Sequence, residues 1–212
     1  MLSAISLTFM TLANRITLMR MLLSLIIFFL IFYRGFWSVI IAFILLTVAS
    51  ISDYVDGVIA RRTRTTTRFG AIVDPLADKI LIMSTFLAFA SIRELTIPLW
   101  AVFIILLREF TISTLRVLAA LNGEVMKAEA AGKFKTAVQL TSAFIIMALL
   151  VLKAWLRKHP IDLDWLTWLS GHSGRISHDL TVLTALVTLI SGAIYLYNHR
   201  ELIRKSWSEK KA

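Results

Sequence analysis

The sequence predicts an all-α integral membrane protein: six transmembrane helices in one domain, preceded by an amphipathic interfacial helix. Three observations carry this. The 212 residues are 58% hydrophobic with only three prolines, and the mean hydropathy of +0.79 lies far above that of an average soluble domain. Apolar runs recur along the chain with short polar breaks between them. Basic residues gather at the ends of those runs, as contact with anionic headgroups or phosphate-bearing substrates would require.

Residues 1–20 mix apolar side chains with Asn14, Arg15, Thr17 and Arg20; they are too polar to span and suited to lying in the interface. The bundle occupies 21–198 and a basic cytoplasmic tail 199–212. The first run, Met21 to Tyr33, is shorter than the ~20 residues a bilayer core needs, so its helix borrows residues from before Met21. Arg34-Gly35 breaks it, and the second run extends from Phe36 to about Ala60. The others cover Gly70 to Ile92, about Ile97 to Leu121, Phe134 to Trp155 and Leu180 to Tyr197. Arg157 to Asp179 is the longest polar stretch and reads as an external loop, with room for a short interfacial helix carrying Trp165 and Trp168 at headgroup level. The histidines of that stretch, His159, His172 and His178, read as solvated groups without a metal role.

Formal net charge is +10, yet the bases form no soluble basic face, so nucleic acid is not an expected partner. With no cysteine, thiolate metal sites and disulfides are excluded. Met1-Leu2-Ser3-Ala4 opens no positively charged leader of the secretory kind. Arg15, Arg20, Arg61, Arg62, Arg64, Arg68, Lys127, Lys133, Lys135 and the tail fall on one side of the bundle. Arg34, Arg93, Lys153, Arg157, Lys158 and Arg175 fall on the other. The positive-inside rule then puts both termini in the cytoplasm; the expected location is the cell (inner) membrane.

Against this apolar background, Asp53, Asp56, Asp74 and Asp78 are the only carboxylates among the first 93 residues. Charge in a membrane segment is costly and calls for a counter-charge. On helices, Asp53, Asp56, Gly57 and Ala60 share one arc, while Gly70, Asp74 and Asp78 stack along one stripe of the next helix, so two carboxylate pairs face each other near the cytoplasmic rim. Oxygen-only ligation suits two Mg²⁺ or Mn²⁺ ions, the usual clamp for phosphoryl transfer. The small residues Gly57, Ala60 and Gly70 leave room for a ligand, and Arg61 at the rim would hold a diphosphate. A single such aspartate is often a packing or proton-relay group; four at this spacing are not. An ion or proton transporter is the competing class, and it would need carboxylates continuing across the membrane depth.

The pattern from Asp53 to Asp78, D-x-x-D-G-x-x-A-R, eight residues, then G-x-x-x-D-x-x-x-D, resembles the signature of the CDP-alcohol phosphatidyltransferases at every position. That resemblance implies a phosphatidyl transfer from CDP-diacylglycerol that releases CMP. It implies Asp53, Asp56, Asp74 and Asp78 as metal ligands, with Asp74 catalytic and Asp78 the general base. It also implies a CDP pocket lined by Asp53, Asp56, Gly57, Ala60, Arg61 and Gly70, and a homodimer. Asn14-Arg15-Ile16-Thr17-Leu18-Met19-Arg20 is similar to a P-N-x-x-T-x-x-R segment of the glycerol-phosphate-using members, with Ala13 in place of the proline, and adds Asn14, Thr17 and Arg20 to the CDP pocket.

Arg108-Glu109 to Arg116 and Lys133 to Thr136 resemble the R-E-x-x-x-S-x-x-R and K-x-K-T segments of the same members. A phosphate-bearing acceptor needs such bases, so Arg108, Arg116, Lys133 and Lys135 are expected to bind the phosphate of sn-glycerol 3-phosphate. Glu109 could serve only to neutralise Arg108 or Arg116, and Lys133 and Lys135 could be topology signals alone. Inositol phosphate, serine or phosphatidylglycerol are the other acceptors the family resemblance leaves open.

Overall fold

In a computed structural model of the chain, residues 12–63, 68–121, 130–159 and 163–201 are described. The side chains of residues 12–17, 53–63, 68–78, 120–121 and 130 lie outside that description. Six long helices account for nearly all of it: α1 (Leu12–Tyr33), α2 (Phe36–Thr63), α3 (Arg68–Ala90), α4 (Leu99–Leu121), α5 (Ala130–Lys158) and α6 (Asp164–Asn198). No strand occurs among the described residues. Dense Leu, Ile and Phe with proline almost absent from the interiors makes helix the only way to satisfy the backbone in an apolar setting.

The packing order is not the chain order. The helix α1 packs chiefly on α3 and also on α2; α2 reaches α5, and α6 lies between α4 and α5. Ile27, Ile31, Leu46, Phe86, Phe89, Ile105 and Met147 are fully buried at the centre. Large apolar side chains also face outward: Phe29, Trp37, Phe103 and Trp165 are each more than 60% exposed, while several Ser, Thr, Gln, Lys, Arg and Glu side chains are buried beside the apolar core. An apolar exterior of this extent marks a lipid-facing or partner-facing surface. Two helices, Ala131–Lys158 and Asp164–Asn198, are long and apolar enough to cross a membrane.

The first helix does borrow residues ahead of Met21, starting at Leu12. A separate interfacial helix is not seen over 12–20, which runs straight into α1; residues 1–11 lie outside the described part, as does most of the basic tail.

The expected external loop from Arg157 to Asp179 is corrected. Helix α5 runs on through Lys158 and α6 begins at Asp164; 160–162 lie outside the described residues. The polar residues of this stretch belong to a helix because their hydroxyls bond the helix's own carbonyls: Ser173 Oγ donates to Ser170 O at 2.7 Å. Gly171 and Gly174 would weaken an isolated helix by ~1 kcal/mol each. Gly174 is needed nonetheless, because a Cβ there would lie 2.9 Å from the Glu94 carbonyl oxygen.

That close approach involves a 3-10 turn, Arg93–Leu95, between α3 and α4. Thr96 ends it with φ 47°, a costly conformation for a β-branched residue. Its hydroxyl donates to Gly174 O at 2.7 Å, and His178 Nδ1 donates to its carbonyl at 3.1 Å. His178 therefore ties α6 to this turn.

Candidate active site

The four aspartates lie on two consecutive helices. Asp53 and Asp56 lie in the last turns of α2 with Gly57, Ala60 and Arg61; Asp74 and Asp78 lie in the first turns of α3, with Gly70. Only positions 64–67 separate the two helices. The side chains of these residues, and of Asn14 and Thr17, fall outside the described ones. Arg20 is half-buried on α1, on the same face as Ser24, whose hydroxyl bonds the Arg20 carbonyl at 2.7 Å.

Immediately after Asp78, the side chain of Lys79 enters a buried ionic cluster centred on Glu109 of α4. Lys79 Nζ lies 3.3 Å from Glu109 Oε2 and also reaches Ser113 Oγ. Arg108 Nη1 is 3.4 Å from Glu109 Oε1, and Lys135 of α5 pairs with the same oxygen. Gln139, one turn along α5, donates from Nε2 to Glu109 Oε1 and to Thr188 Oγ1 of α6, both at 3.2 Å. Glu109 is only 2% exposed, Lys135 6% and Arg108 8%. One buried carboxylate thus gathers three basic side chains, Arg108 and Lys135 buried and Lys79 22% exposed.

The cluster brings basic side chains from α3, α4 and α5 to one buried carboxylate, a setting that offers charged donors to the oxygens of a phosphate. The cluster also joins the helix of Asp74 and Asp78 to the helices of the expected anion-binding bases. A cavity of about 170 Å³ lies against it between α3 and α4, lined by Lys79, Ile80, Met83, Glu109, Phe110 and Ser113.

Of the bases expected at the acceptor, Arg108 and Lys135 come together through Glu109. Arg116 lies farther along α4, where its Nε donates to Tyr195 Oη at 3.2 Å and its guanidinium sits 5.1 Å from the ring centre of Tyr195. Lys133 is exposed and stands apart from the cluster. Glu109 neutralises Arg108 as the sequence suggested, and not Arg116. Lys79, Gln139, Ser191 and Tyr195 were not singled out from the sequence. For Lys79 a signal existed in its place next to Asp78; for Gln139, its position four residues after Lys135. Nothing in the linear sequence marked the α6 residues.

A model of the CDP-alcohol phosphatidyltransferase family matches residues 10–176, a stretch that contains every residue of the expected site. A Bacillus subtilis (strain 168) protein named CDP-diacylglycerol–glycerol-3-phosphate 3-phosphatidyltransferase is 38% identical over 104 residues, covering 49% of this chain and 53% of its own length. The match thus spans about half of that relative. A Pseudomonas fluorescens protein of the same name is 29% identical over 206 residues, 95% of this chain and 93% of its own. A protein of Oryza sativa subsp. japonica named cardiolipin synthase (CMP-forming) is 35% identical over 132 residues, 55% of this chain and 39% of its own.

Proposed function

The chain belongs to the CDP-alcohol phosphatidyltransferase family, and from that premise we propose that it transfers the phosphatidyl group of CDP-diacylglycerol to sn-glycerol 3-phosphate, forming phosphatidylglycerol phosphate and CMP. The observation that carries the choice of acceptor is the gathering of Arg108 and Lys135 at Glu109, with the buried Arg108 Nε lacking a hydrogen-bond partner among the described residues; such donors suit an acceptor that brings its own phosphate. The relatives named for glycerol 3-phosphate support the same choice.

Asp53, Asp56, Asp74 and Asp78 would hold two divalent ions, Mg²⁺ or Mn²⁺. The donor set fits them: all oxygen, two carboxylates from the end of α2 and two from the start of α3, helices whose ends are separated by only four positions in the chain. When bound, the ions supply neutralisation of the diphosphate and stabilisation of charge developing on it. Arg61, with the small residues Gly57, Ala60 and Gly70, lines the CDP side, along with Asn14, Thr17 and Arg20. Arg108 and Lys135 bind the acceptor phosphate, with Arg116 and Lys133 toward the rim. Asp78 accepts the proton of the acceptor hydroxyl as its oxygen attacks the β-phosphorus. The bond from that phosphorus to the oxygen of CMP breaks, and CMP leaves.

We place all six helices across the inner membrane, with an interfacial N-terminal helix, cytoplasmic termini, and two copies forming a homodimer. Purified protein given CDP-diacylglycerol and Mg²⁺ should release CMP with glycerol 3-phosphate and at most marginally with serine, inositol phosphate or phosphatidylglycerol. CMP release with one of those and none with glycerol 3-phosphate above the acceptor-free control would refute the assignment.

A further inference from the structure

Arg108 is the most tightly held of the bases, and the hold comes from α6. Its Nη2 donates to Ser191 Oγ at 3.1 Å, and its aliphatic shaft crosses α6 at Gly192, where a Cβ would lie 2.9 Å from Arg108 Cγ and 3.5 Å from Nε. Only a residue without a side chain lets the arginine pass there. Three residues further on, Tyr195 is 2% exposed and accepts from Arg116 Nε at 3.2 Å. The two arginines stand eight positions apart on α4, ~12 Å along its axis, and each is directed by the same short stretch of α6. The guanidinium of Arg108 is not fully used: its Nε is buried with no hydrogen-bond partner. A buried, unpaired N–H on a charged group is costly and marks a place where an acceptor oxygen is missing.

We infer that Ser191, Gly192 and Tyr195 of α6 are positioning residues for anion recognition, aiming Arg108 and Arg116 so that the free Arg108 Nε meets an oxygen of the acceptor's phosphate. This rests on the reading that a phosphate-bearing acceptor binds at Arg108. None of the three touches the reacting atoms, so their effect falls on the affinity for the phosphate and not on the chemical step.

The test measures KM for glycerol 3-phosphate and for CDP-diacylglycerol, together with kcat, in Ser191→Ala, Tyr195→Phe and Gly192→Ala. A misaimed charged hydrogen bond is expected to raise KM for glycerol 3-phosphate about tenfold in Ser191→Ala and about fivefold in Tyr195→Phe, and more in Gly192→Ala. KM for CDP-diacylglycerol and kcat should change less than about twofold, a split that loss of packing does not produce. Unchanged KM for glycerol 3-phosphate in both Ser191→Ala and Tyr195→Phe would overturn the inference. So would a parallel rise in both KM values accompanied by a lower melting temperature.

A second readout does not need turnover: stabilisation of the protein in detergent by inorganic phosphate, followed as a shift in Tm. If the parent releases no CMP with glycerol 3-phosphate yet is stabilised by phosphate, and the variants are stabilised less, the acceptor assignment fails while the positioning role stands. Equal stabilisation of parent and variants removes the positioning role whatever the acceptor.

Discussion

The two halves of α6 both carry buried hydroxyl residues spaced three to four apart and put them to different uses. In the half nearer Asp164, Ser173, Ser177 and Thr181 are fully buried; Ser173 Oγ donates to Ser170 O and Thr181 Oγ1 to Ser177 O, both at 2.7 Å within the helix, while Ser177 Oγ has no hydrogen-bond partner among the described residues. In the half nearer Asn198, Thr188, Ser191 and Tyr195 are equally buried, but they accept from Gln139, Arg108 and Arg116. Small hydroxyls let helices approach closely in an apolar medium, and that alone says nothing of function. What separates the halves is the charge they touch. The first half packs; the second half orients the bases that α4 and α5 bring in.

That contrast can be broken in order of size. Glu109→Ala is expected to do the most: it leaves the buried Arg108 and Lys135, and the partly exposed Lys79, without their common carboxylate, at a cost of about 3–5 kcal/mol, so stability in detergent and CMP release should both collapse. A Tm close to the parent's would show that the cluster is solvated and not the buried hub described here. Gly174→Ala comes next, since its methyl would meet the Glu94 carbonyl at 2.9 Å. Overpacking against backbone should lower stability by about 1–3 kcal/mol while KM for glycerol 3-phosphate stays put, and a selective KM change would blur the division between the halves.

The smallest and most discriminating comparison is Thr181→Val against Thr188→Val, the same near-isosteric change made in each half. Thr181→Val loses only a bond to its own helix and should alter stability by less than about 1 kcal/mol with no kinetic effect. Thr188→Val removes an acceptor from Gln139, which also holds Glu109, and should raise KM for glycerol 3-phosphate several-fold. Equal behaviour of the two variants in acceptor kinetics would erase the distinction.

The sequence was legible where one physical signal dominated. Apolar runs located the helices because Leu, Ile and Phe outnumber everything else in them, and the aspartates stood out because no other carboxylate occurs near them. It misled between Arg157 and Asp179, where Ser173, Ser177, His178 and Arg175 look like solvated loop residues. Buried hydroxyls can bond their own helix, so polarity at those positions was no evidence of a loop; their spacing of three to four residues, continued through Thr181, Thr184 and Thr188, was the signal available. Arg108 and Lys135 were readable as bases with a task. Lys79 and Tyr195 were not, because their roles exist only through contacts between α3 and α4 and between α4 and α6.

The central claim is that the cation cluster around Glu109 reads the phosphate of the acceptor. It is tested most directly by the ratio of kcat/KM for glycerol 3-phosphate to that for glycerol, measured in the parent and in Arg108→Gln at saturating CDP-diacylglycerol. Loss of a charged, desolvated contact worth about 3 kcal/mol should shrink that ratio about a hundredfold, with the glycerol reaction little changed. An equal fall in both reactions, leaving the ratio intact, would mean that Arg108 supports the fold or the transfer chemistry and does not recognise the acceptor's phosphate.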